Sequence, residues 1–251
     1  MNKEKKMIIN KLNKAVFISF TLLTAYSGTA FAQIDSAAIV ILDSMSNVIT
    51  NLESCSFTLK AEYDIFNDRL GLVKHSDRSN VYLKAPDKFF VKREGDKGKK
   101  DFYYDGKTLT YYSADNNQYA QAPAPPTIME TIDSIQNAFG IDFPAADVFY
   151  DDLVDNLMAN ANNLDYLGFT SIEDKECFHI AGTNDEFTYQ IWIAEESYLP
   201  LKINIVYTSK PGNPQHDVVF QNWSLNPVLE DSMFDFVVPS GAVKIKLLKK
   251  N

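Results

Sequence analysis

The sequence has few of the side chains that carry out chemistry at active sites. Its 251 residues include three histidines, His75, His179 and His216, and two cysteines, Cys55 and Cys177. Catalysis needs ionisable or nucleophilic groups held in reach of one another. The sequence contains no G-x-S-x-G elbow, P-loop, H-E-x-x-H or dinucleotide-binding motif. We therefore predict a protein that is not an enzyme and has no cofactor.

Metal-binding spacing is also missing from the sequence. Cys177 and His179 would share one face of a strand, but no second Cys/His pair completes a tetrahedral set. A buried cysteine beside a histidine is the preferred interpretation, so we predict no metal site. One acidic cluster lacks the D-x-D-x-D-G order of a calcium loop and is typical of helix starts on a solvated surface: Asp147, Asp151, Asp152 and Asp155.

Residues 1–32 have the three parts of a secretory signal peptide. Five lysines form a basic start, residues 15–26 form an apolar core too short to span a bilayer, and Ala30-Phe31-Ala32 matches the cleavage rule. We predict cleavage after Ala32 and a periplasmic protein that does not span the membrane. Position 33 is glutamine rather than cysteine, which argues against a lipid-anchored lipoprotein.

Residues 33–251 contain no Gly/Ser-rich or Pro-rich linker, which predicts a single domain. The formal net charge of the whole sequence is −9, and removal of the signal peptide makes the chain more acidic. An acidic surface repels nucleic acid, so we predict no nucleic-acid partner. We expect a monomer.

Cys55 and Cys177 both fall on predicted strands in an oxidising compartment. A disulfide between them would close a long loop and add about 2–4 kcal/mol of stability. Two buried free thiols are an equally good interpretation, because the sequence does not give the distance between the two Cα atoms.

The hydrophobic pattern predicts a mainly β protein with helices in two places. Apolar residues at helical spacing predict a helix over residues 35–52, with Asp35 or Ser36 as N-cap. Thr127 and Glu130 form a capping box that predicts a second helix over residues 127–139, ended by Gly140. Residues 145–159 have the spacing of one or two further short helices.

Alternating residues and turn signals predict the strands. Asp105-Gly106 and residues 115–117 are turn sequences that favour an antiparallel meander between residues 99 and 125. Hairpin signals at this spacing predict one large antiparallel sheet, strongly curved or partly closed. The other predicted strands are residues 55–65, 72–83, 89–93, 166–172, 177–182, 187–193, 199–208 and 218–225.

The segment Tyr104–Tyr112, preceded by Ala85–Phe89 and Arg93, resembles DUF2092, a family of predicted periplasmic proteins. Further similar segments, which bring the resemblance to about residues 35–248, are Asn117-x-Tyr119-Ala120, Pro144–Asp147, Tyr166–Gly168, Cys177-x-His179, Gln190–Ile193 and Pro200-x-Lys202. The order of segments is also similar to the lipoprotein-localisation (LolA/LolB-like) superfamily. That resemblance implies an incomplete antiparallel barrel whose concave face is covered by helices, here those at 35–52 and 127–139. In some members of that superfamily, the incomplete barrel binds lipid or acyl chains.

Our leading hypothesis is that the protein binds an apolar ligand, such as a lipid or a lipoprotein's acyl chains, in the concave cavity. Aromatic residues crowd the meander and can line such a cavity or fill a core. A one-residue error in strand register would exchange every candidate for its neighbour. The predicted lining residues are Phe89, Phe102, Tyr104, Leu109, Tyr111 and Trp192.

Two other functions fit the sequence less well. An envelope interaction module would have a filled core and an exposed apolar patch on its outer surface. An envelope hydrolase would need an unrecognised pair of acids, drawn from Asp64, Asp101 or Glu186.

Overall fold

The computed structural model describes residues 33–247, so the predicted signal peptide lies outside the described residues. The helices are α1 (Ser36–Thr50), α2 (Ile128–Phe139) and α3 (Leu153–Asn160), with short 3-10 turns at Ala146–Phe149 and Asp231–Met233. The strands are β1 (Gln33–Ile34), β2 (Ser54–Asn67), β3 (Gly71–Lys84), β4 (Lys88–Gly95), β5 (Gly98–Tyr104), β6 (Thr108–Ser113), β7 (Gln118–Pro123), β8 (Asn163–Ile172), β9 (Lys175–Thr183), β10 (Thr188–Ala194), β11 (Pro200–Val206), β12 (Gln215–Leu225) and β13 (Val243–Lys244).

All thirteen strands belong to one curved sheet, ordered β1-β8-β9-β10-β11-β12-β2-β3-β4-β5-β6-β7-β13. Two antiparallel meanders, β2–β7 and β8–β12, are joined where β12 pairs with β2. Only the short strands β1 and β13 pair in parallel within residues 33–247. These strands form the two edges, so the sheet is not closed, and the predicted mainly β fold is confirmed.

Alternation along the strands sorts side chains onto two faces of the sheet. We call the face that the helices cover the inner face. Phe57, Leu59 and Ala61 of β2 lie on this face and join the main core. Neighbouring strands add Val91, Phe102 and other alternate residues to the same core, as a period of two requires.

The first helix begins and ends as its sequence predicts. Asp35 is the N-cap, since its carboxylate accepts a hydrogen bond of 2.8 Å from the Ala37 N–H. The apolar stripe of α1 is buried against the core through Ala38, Leu42 and other residues at the same spacing.

The second helix has half of the predicted capping box. The Thr127 hydroxyl oxygen accepts a hydrogen bond from the Glu130 N–H. The Glu130 carboxylate, however, accepts from the Thr127 hydroxyl rather than from the backbone. Gly140 ends the helix in a left-handed conformation with φ 63°, a conformation that glycine adopts without steric cost.

The C-terminal segment, residues 226–245, packs on the outer face of the β2–β7 meander and has no counterpart in the sequence prediction. Phe236 packs against three outward-facing tyrosines, Tyr103, Tyr112 and Tyr119. The segment then adds β13 to the edge of β7. The outer tyrosines are therefore covered by the chain itself.

Both cysteines are buried free thiols in the structure. Cys55 belongs to the main core, whereas Cys177 packs with Ala194 and Leu201 in a smaller cluster on the outer face. Burial raises the pKa of the Cys55 thiol to about 12, which makes it a weak nucleophile at neutral pH. Within residues 33–247, no helix has the length and apolar character needed to cross a bilayer.

Candidate functional site

A cavity of about 940 Å³ lies between the inner face of β10–β12 and a cover made of α2, α3 and the segment between these two helices. Its volume is at the upper end of the range for small-molecule sites, about 300–1,000 Å³. None of the residues that line it comes from α1. Of the two predicted lid helices, only α2 therefore covers this cavity.

The sheet side of the cavity consists of two rows of paired residues across adjacent strands. Ile191, Ile203 and Val218 form the first row, because Ile203 pairs with both of the others. Tyr189, Ile205 and His216 form the second row in the same way. We call these six residues the cavity floor. The first row is entirely aliphatic, so the floor suits an apolar molecule.

The cover is apolar where it faces the floor. Ile132 on α2 and both Leu153 and Leu157 on α3 line the cavity, and Phe143 lines it from the intervening segment. These four residues also pack against the main core, so the cover is anchored by the same side chains that form the cavity wall.

Among the described residues, the charged side chains that line the cavity are mostly acidic. Four carboxylates line it, Asp142, Asp147, Asp185 and Glu186, together with one lysine, Lys210. The Asp147 side chain is accessible to solvent. Protein atoms crowd its carboxyl group, and this desolvation raises the pKa of that group. The carboxylates of Asp133 and Asp142 raise this pKa further.

Tyr189 is the most unusual side chain of the floor. It is 4 % exposed, and its hydroxyl has no hydrogen-bond partner within residues 33–247. Burial raises its pKa to about 12. Its ring lies across Gly182 on the neighbouring strand, where a Cβ atom would be 2.2 Å from the ring. The absence of a side chain at position 182 therefore sets the position of this ring.

At the other end of the second row, His216 joins a polar aromatic cluster with Tyr63 and His75. The Tyr63 ring is 5.8 Å from each imidazole, measured between centroids. Among the described residues the His216 Nε2 atom has no hydrogen-bond partner. Burial lowers the pKa of His216, an effect that the carboxylates of Asp77 and Asp217 oppose.

We expect His216 to make stability fall on acidification below a pH of about 6.5, the unperturbed histidine pKa. Because the folded-state pKa is depressed, the unfolded chain binds the proton first, so this contribution is complete above that pH and is lost as pH falls. The His216→Gln variant should show a smaller decrease in Tm between pH 7.5 and 5.5 than the parent protein. The matched control is His179→Gln, whose imidazole stacks on Trp192 on the outer face.

An equal decrease in Tm for the parent protein and His216→Gln would contradict this prediction. Burial raises the pKa of Asp77, so that carboxyl group acts with the opposite sign and adds stability as pH falls. Asp77 is present in the parent protein and in both variants, so the difference between the proteins reports the imidazole together with its interaction with the Asp77 carboxylate.

The six predicted lining residues do not line the large cavity. Five lie on the inner face: Phe89, Phe102, Tyr104 and Leu109 are buried in the core, and Tyr111 packs against it. Phe89 also lines a small second cavity of about 40 Å³. Trp192 is on the outer face, where it stacks on His179 and lies under the Lys202 ammonium.

Strand parity explains the placement of Trp192. Tyr189, Ile191 and Ile193 alternate with it along β10 and are all buried in the main core. The larger apolar content of the alternate set predicts that set, rather than Trp192, on the inner face. The sequence of β10 therefore contains the signal that places Trp192 on the outer face.

The structure does not bring the three acids considered for a hydrolase together. Asp64 lies on the outer face of β2, paired with Lys74 at 3.1 Å, and Asp101 lies on the outer face of β5. The two strands are separated by β3 and β4, which places them about 14 Å apart. Glu186 lines the cavity instead.

The fold defines a class: mainly β proteins with an open, curved sheet whose inner face is covered by helices. The sequence matches the model of the family described as predicted periplasmic protein, DUF2092, over residues 38–248. The chain belongs to this family, as its motifs predicted, and a periplasmic location is the family's description. A comparison with curated proteins found no match.

Several solved structures are similar to this chain at low sequence identity. Mycobacterium tuberculosis lipoprotein LppX is 14% identical with a TM-score of 0.48, covering 78% of this chain and 98% of its own. The Pseudomonas aeruginosa MucA/MucB complex structure is 11% identical with a TM-score of 0.45, covering 80% and 62%. A LolA superfamily protein from Nitrosomonas europaea is 11% identical with a TM-score of 0.34, covering 79% and 97%. Similarities of this extent carry no conclusion about function.

Proposed function

We propose that residues 33–251 form one periplasmic domain that binds an apolar ligand, such as a lipid or a lipoprotein's acyl chain, between the cavity floor and its helical cover. The observation that carries this proposal is a cavity of about 940 Å³ whose floor includes an aliphatic cross-strand row. A filled interior was expected of an interaction module, so the cavity favours ligand binding.

Burial of an alkyl chain supplies enough free energy for such binding. Each methylene group transferred from water gains about 0.8 kcal/mol, so about ten buried methylenes gain about 8 kcal/mol. Ordering of the chain and loss of its free motion reduce this gain. Since about 8 kcal/mol corresponds to about 1 μM, dissociation constants weaker than about 1 μM are the expected scale once these costs are subtracted.

The residues proposed to contact the ligand differ from the six predicted from sequence. They are the floor residues Ile191, Ile203, Ile205 and Val218 and the facing residues Ile132, Phe143, Leu153 and Leu157. Phe89, Phe102, Tyr104, Leu109 and Tyr111 support the sheet from within the core rather than lining this cavity.

The proposal is tested by filling the cavity. The Ile205→Trp variant places a large ring on the floor and should weaken binding of a fluorescent fatty-acid probe by more than about tenfold, the effect of losing roughly 1.4 kcal/mol. Val206→Trp is the matched control, because the next residue on β11 points to the opposite face. Val206→Trp should bind the probe as the parent protein does.

Native mass spectrometry of protein purified from the periplasm, followed by lipid extraction, provides the second measurement. The proposal predicts a co-purifying amphiphile in near-stoichiometric amount in the parent protein and in Val206→Trp, and its loss in Ile205→Trp. A parent protein that carries no lipid and binds no probe after incubation with envelope lipids would contradict the proposal.

A further inference from the structure

Resting on the proposed function, we propose that the cavity selects amphiphiles whose headgroup carries a cationic ammonium group. The headgroup would lie at the end of the cavity formed by Asp185, Glu186 and the aromatic residues Phe187, Tyr189 and Tyr207, while the alkyl chain would lie along the aliphatic row of the floor.

The first reason is that the acidic groups of the lining are not neutralised. Asp142, Asp147, Asp185 and Glu186 all line the cavity, and within residues 33–247 none of the four forms a salt bridge. The side-chain carboxylates of Asp142 and Asp185 accept hydrogen bonds from the amides of Gln136 and Asn162, and the Arg93 guanidinium donates to the Asp142 backbone carbonyl oxygen. A cationic group would gain Coulombic energy from these carboxylates, whereas a carboxylate or phosphate would be repelled.

The second reason is an aromatic group beside these acids. The Phe187 ring centroid is 6.1 Å from that of Tyr189 and 6.2 Å from that of Tyr207. Aromatic faces attract ammonium groups through the ring quadrupole, and groups of such rings recognise quaternary ammonium ligands. Tyr189 adds an aromatic ring to this end of the cavity, while its buried hydroxyl lies over Gly182 on the neighbouring strand.

The third reason is that a cation already contacts this aromatic group. The Lys210 ammonium lies 3.8 Å from the centroid of the Tyr207 ring. Lys210 is exposed and belongs to the turn between β11 and β12, so its side chain is free to move away. Its position shows that the ring accepts an ammonium group, and a bound ligand would compete with it.

The cavity offers little to an anionic headgroup. Within residues 33–247, Lys210 is the one lysine or arginine that lines the cavity, and its ammonium group lies on the Tyr207 ring. Burial lowers the pKa of His216, which disfavours its cationic form. An anion would therefore meet one cationic side chain among four carboxylates.

Three probes with the same twelve-carbon chain separate the headgroup types: dodecyltrimethylammonium, dodecyl maltoside and dodecanoate. Their dissociation constants are measured by calorimetry below the micellar concentration, at pH 7.5 and low ionic strength, while circular dichroism confirms that the protein stays folded. We expect the cationic probe to bind about 3- to 30-fold more tightly than the neutral one, the scale of a cation–π contact, and dodecanoate to bind most weakly.

Variants separate the local acids from the overall negative charge. Asp185→Asn with Glu186→Gln should reduce the preference for the cationic probe over the neutral one. Glu173→Gln with Asp174→Asn removes the same charge from an exposed turn outside the cavity lining and should keep the preference. Lys210→Met should increase the affinity for the cationic probe, because it removes the competing ammonium group.

Each outcome decides between the two proposals. Equal or tighter binding of dodecanoate, weakened by Lys210→Met, would overturn the headgroup inference and leave the proposed function intact. A preference for the cationic probe that both double variants reduce equally would assign it to overall charge and also overturn the inference. If no probe binds, both proposals fail.

Discussion

The Phe102→Ala variant is expected to lower the free energy of unfolding by about 3–5 kcal/mol, the range for truncation of a buried phenylalanine. Phe102 is 1 % exposed on the inner face of β5. Its ring is 5.1 Å from that of Phe143 and 5.5 Å from that of Tyr111, measured between centroids. Truncation removes these contacts and leaves a cavity that a rigid sheet cannot fill. The measurement is urea unfolding followed by circular dichroism.

Phe169→Ala is the matched control for this substitution. Phe169 is 60 % exposed on β8 and packs mainly on one side, against Phe178 at 5.0 Å. The same truncation there should cost less than about 1 kcal/mol, since little of the side chain leaves water on folding. A Phe102→Ala variant as stable as Phe169→Ala would contradict the assignment of Phe102 to the core.

Gly182→Ala is expected to destabilise the protein by about 1–3 kcal/mol, the cost of forcing an extra methyl group into a packed site. The new Cβ atom would lie 2.2 Å from the Tyr189 ring, so the ring must move toward the cavity. The movement should also weaken binding of the alkyl probes. Thermal unfolding and probe affinity measure the two effects.

A double-mutant cycle isolates the contact between these two residues. Tyr189→Val removes the ring and should cost stability by itself, because it leaves space beside Gly182. Adding Gly182→Ala to Tyr189→Val should then cost much less than it does in the parent protein, since the clash is gone. Additive effects would mean that position 182 requires glycine for its backbone conformation and not to make space for the Tyr189 ring.

The sequence determined the local elements because their signals are carried by neighbouring residues. The apolar stripe of α1 and its Asp35 N-cap lie within one continuous segment of the chain, and the structure confirms both. The Asp105-Gly106 turn and the alternation along β5 and β6 likewise confirm the meander. Five of the six candidate residues lie on the inner face, although the sequence did not establish which face of each strand points inward.

The outcome for Trp192 marks the limit of reasoning from residue type alone. Its size suggested a lining position, but the alternate residues of β10 are more apolar in sum and occupy the inner face. The alternating pattern of the whole strand decides which face a residue joins. A large aromatic side chain such as Trp192 therefore lies on the outer face when the residues that alternate with it are more apolar.

The cavity was decided by tertiary structure. Its floor comes from β10–β12 and its cover from residues 132–161. No local sequence pattern determines the distance between the cover and the floor. Core residues and cavity residues are both apolar on alternate positions, so periodicity cannot distinguish packed strands from strands beside a space. The outer position of the C-terminal segment, which places Phe236 over three tyrosines, also depends on contacts distant in the chain.

The sequence by itself therefore determined which segments are helices or strands, which family the chain belongs to and, by parity, which residues of a strand share a face. The tertiary structure alone decided where the inner face is filled and where it is open. The physical reason is that secondary structure follows from short-range periodicity and capping, whereas a cavity is the space left when elements distant in the chain pack together.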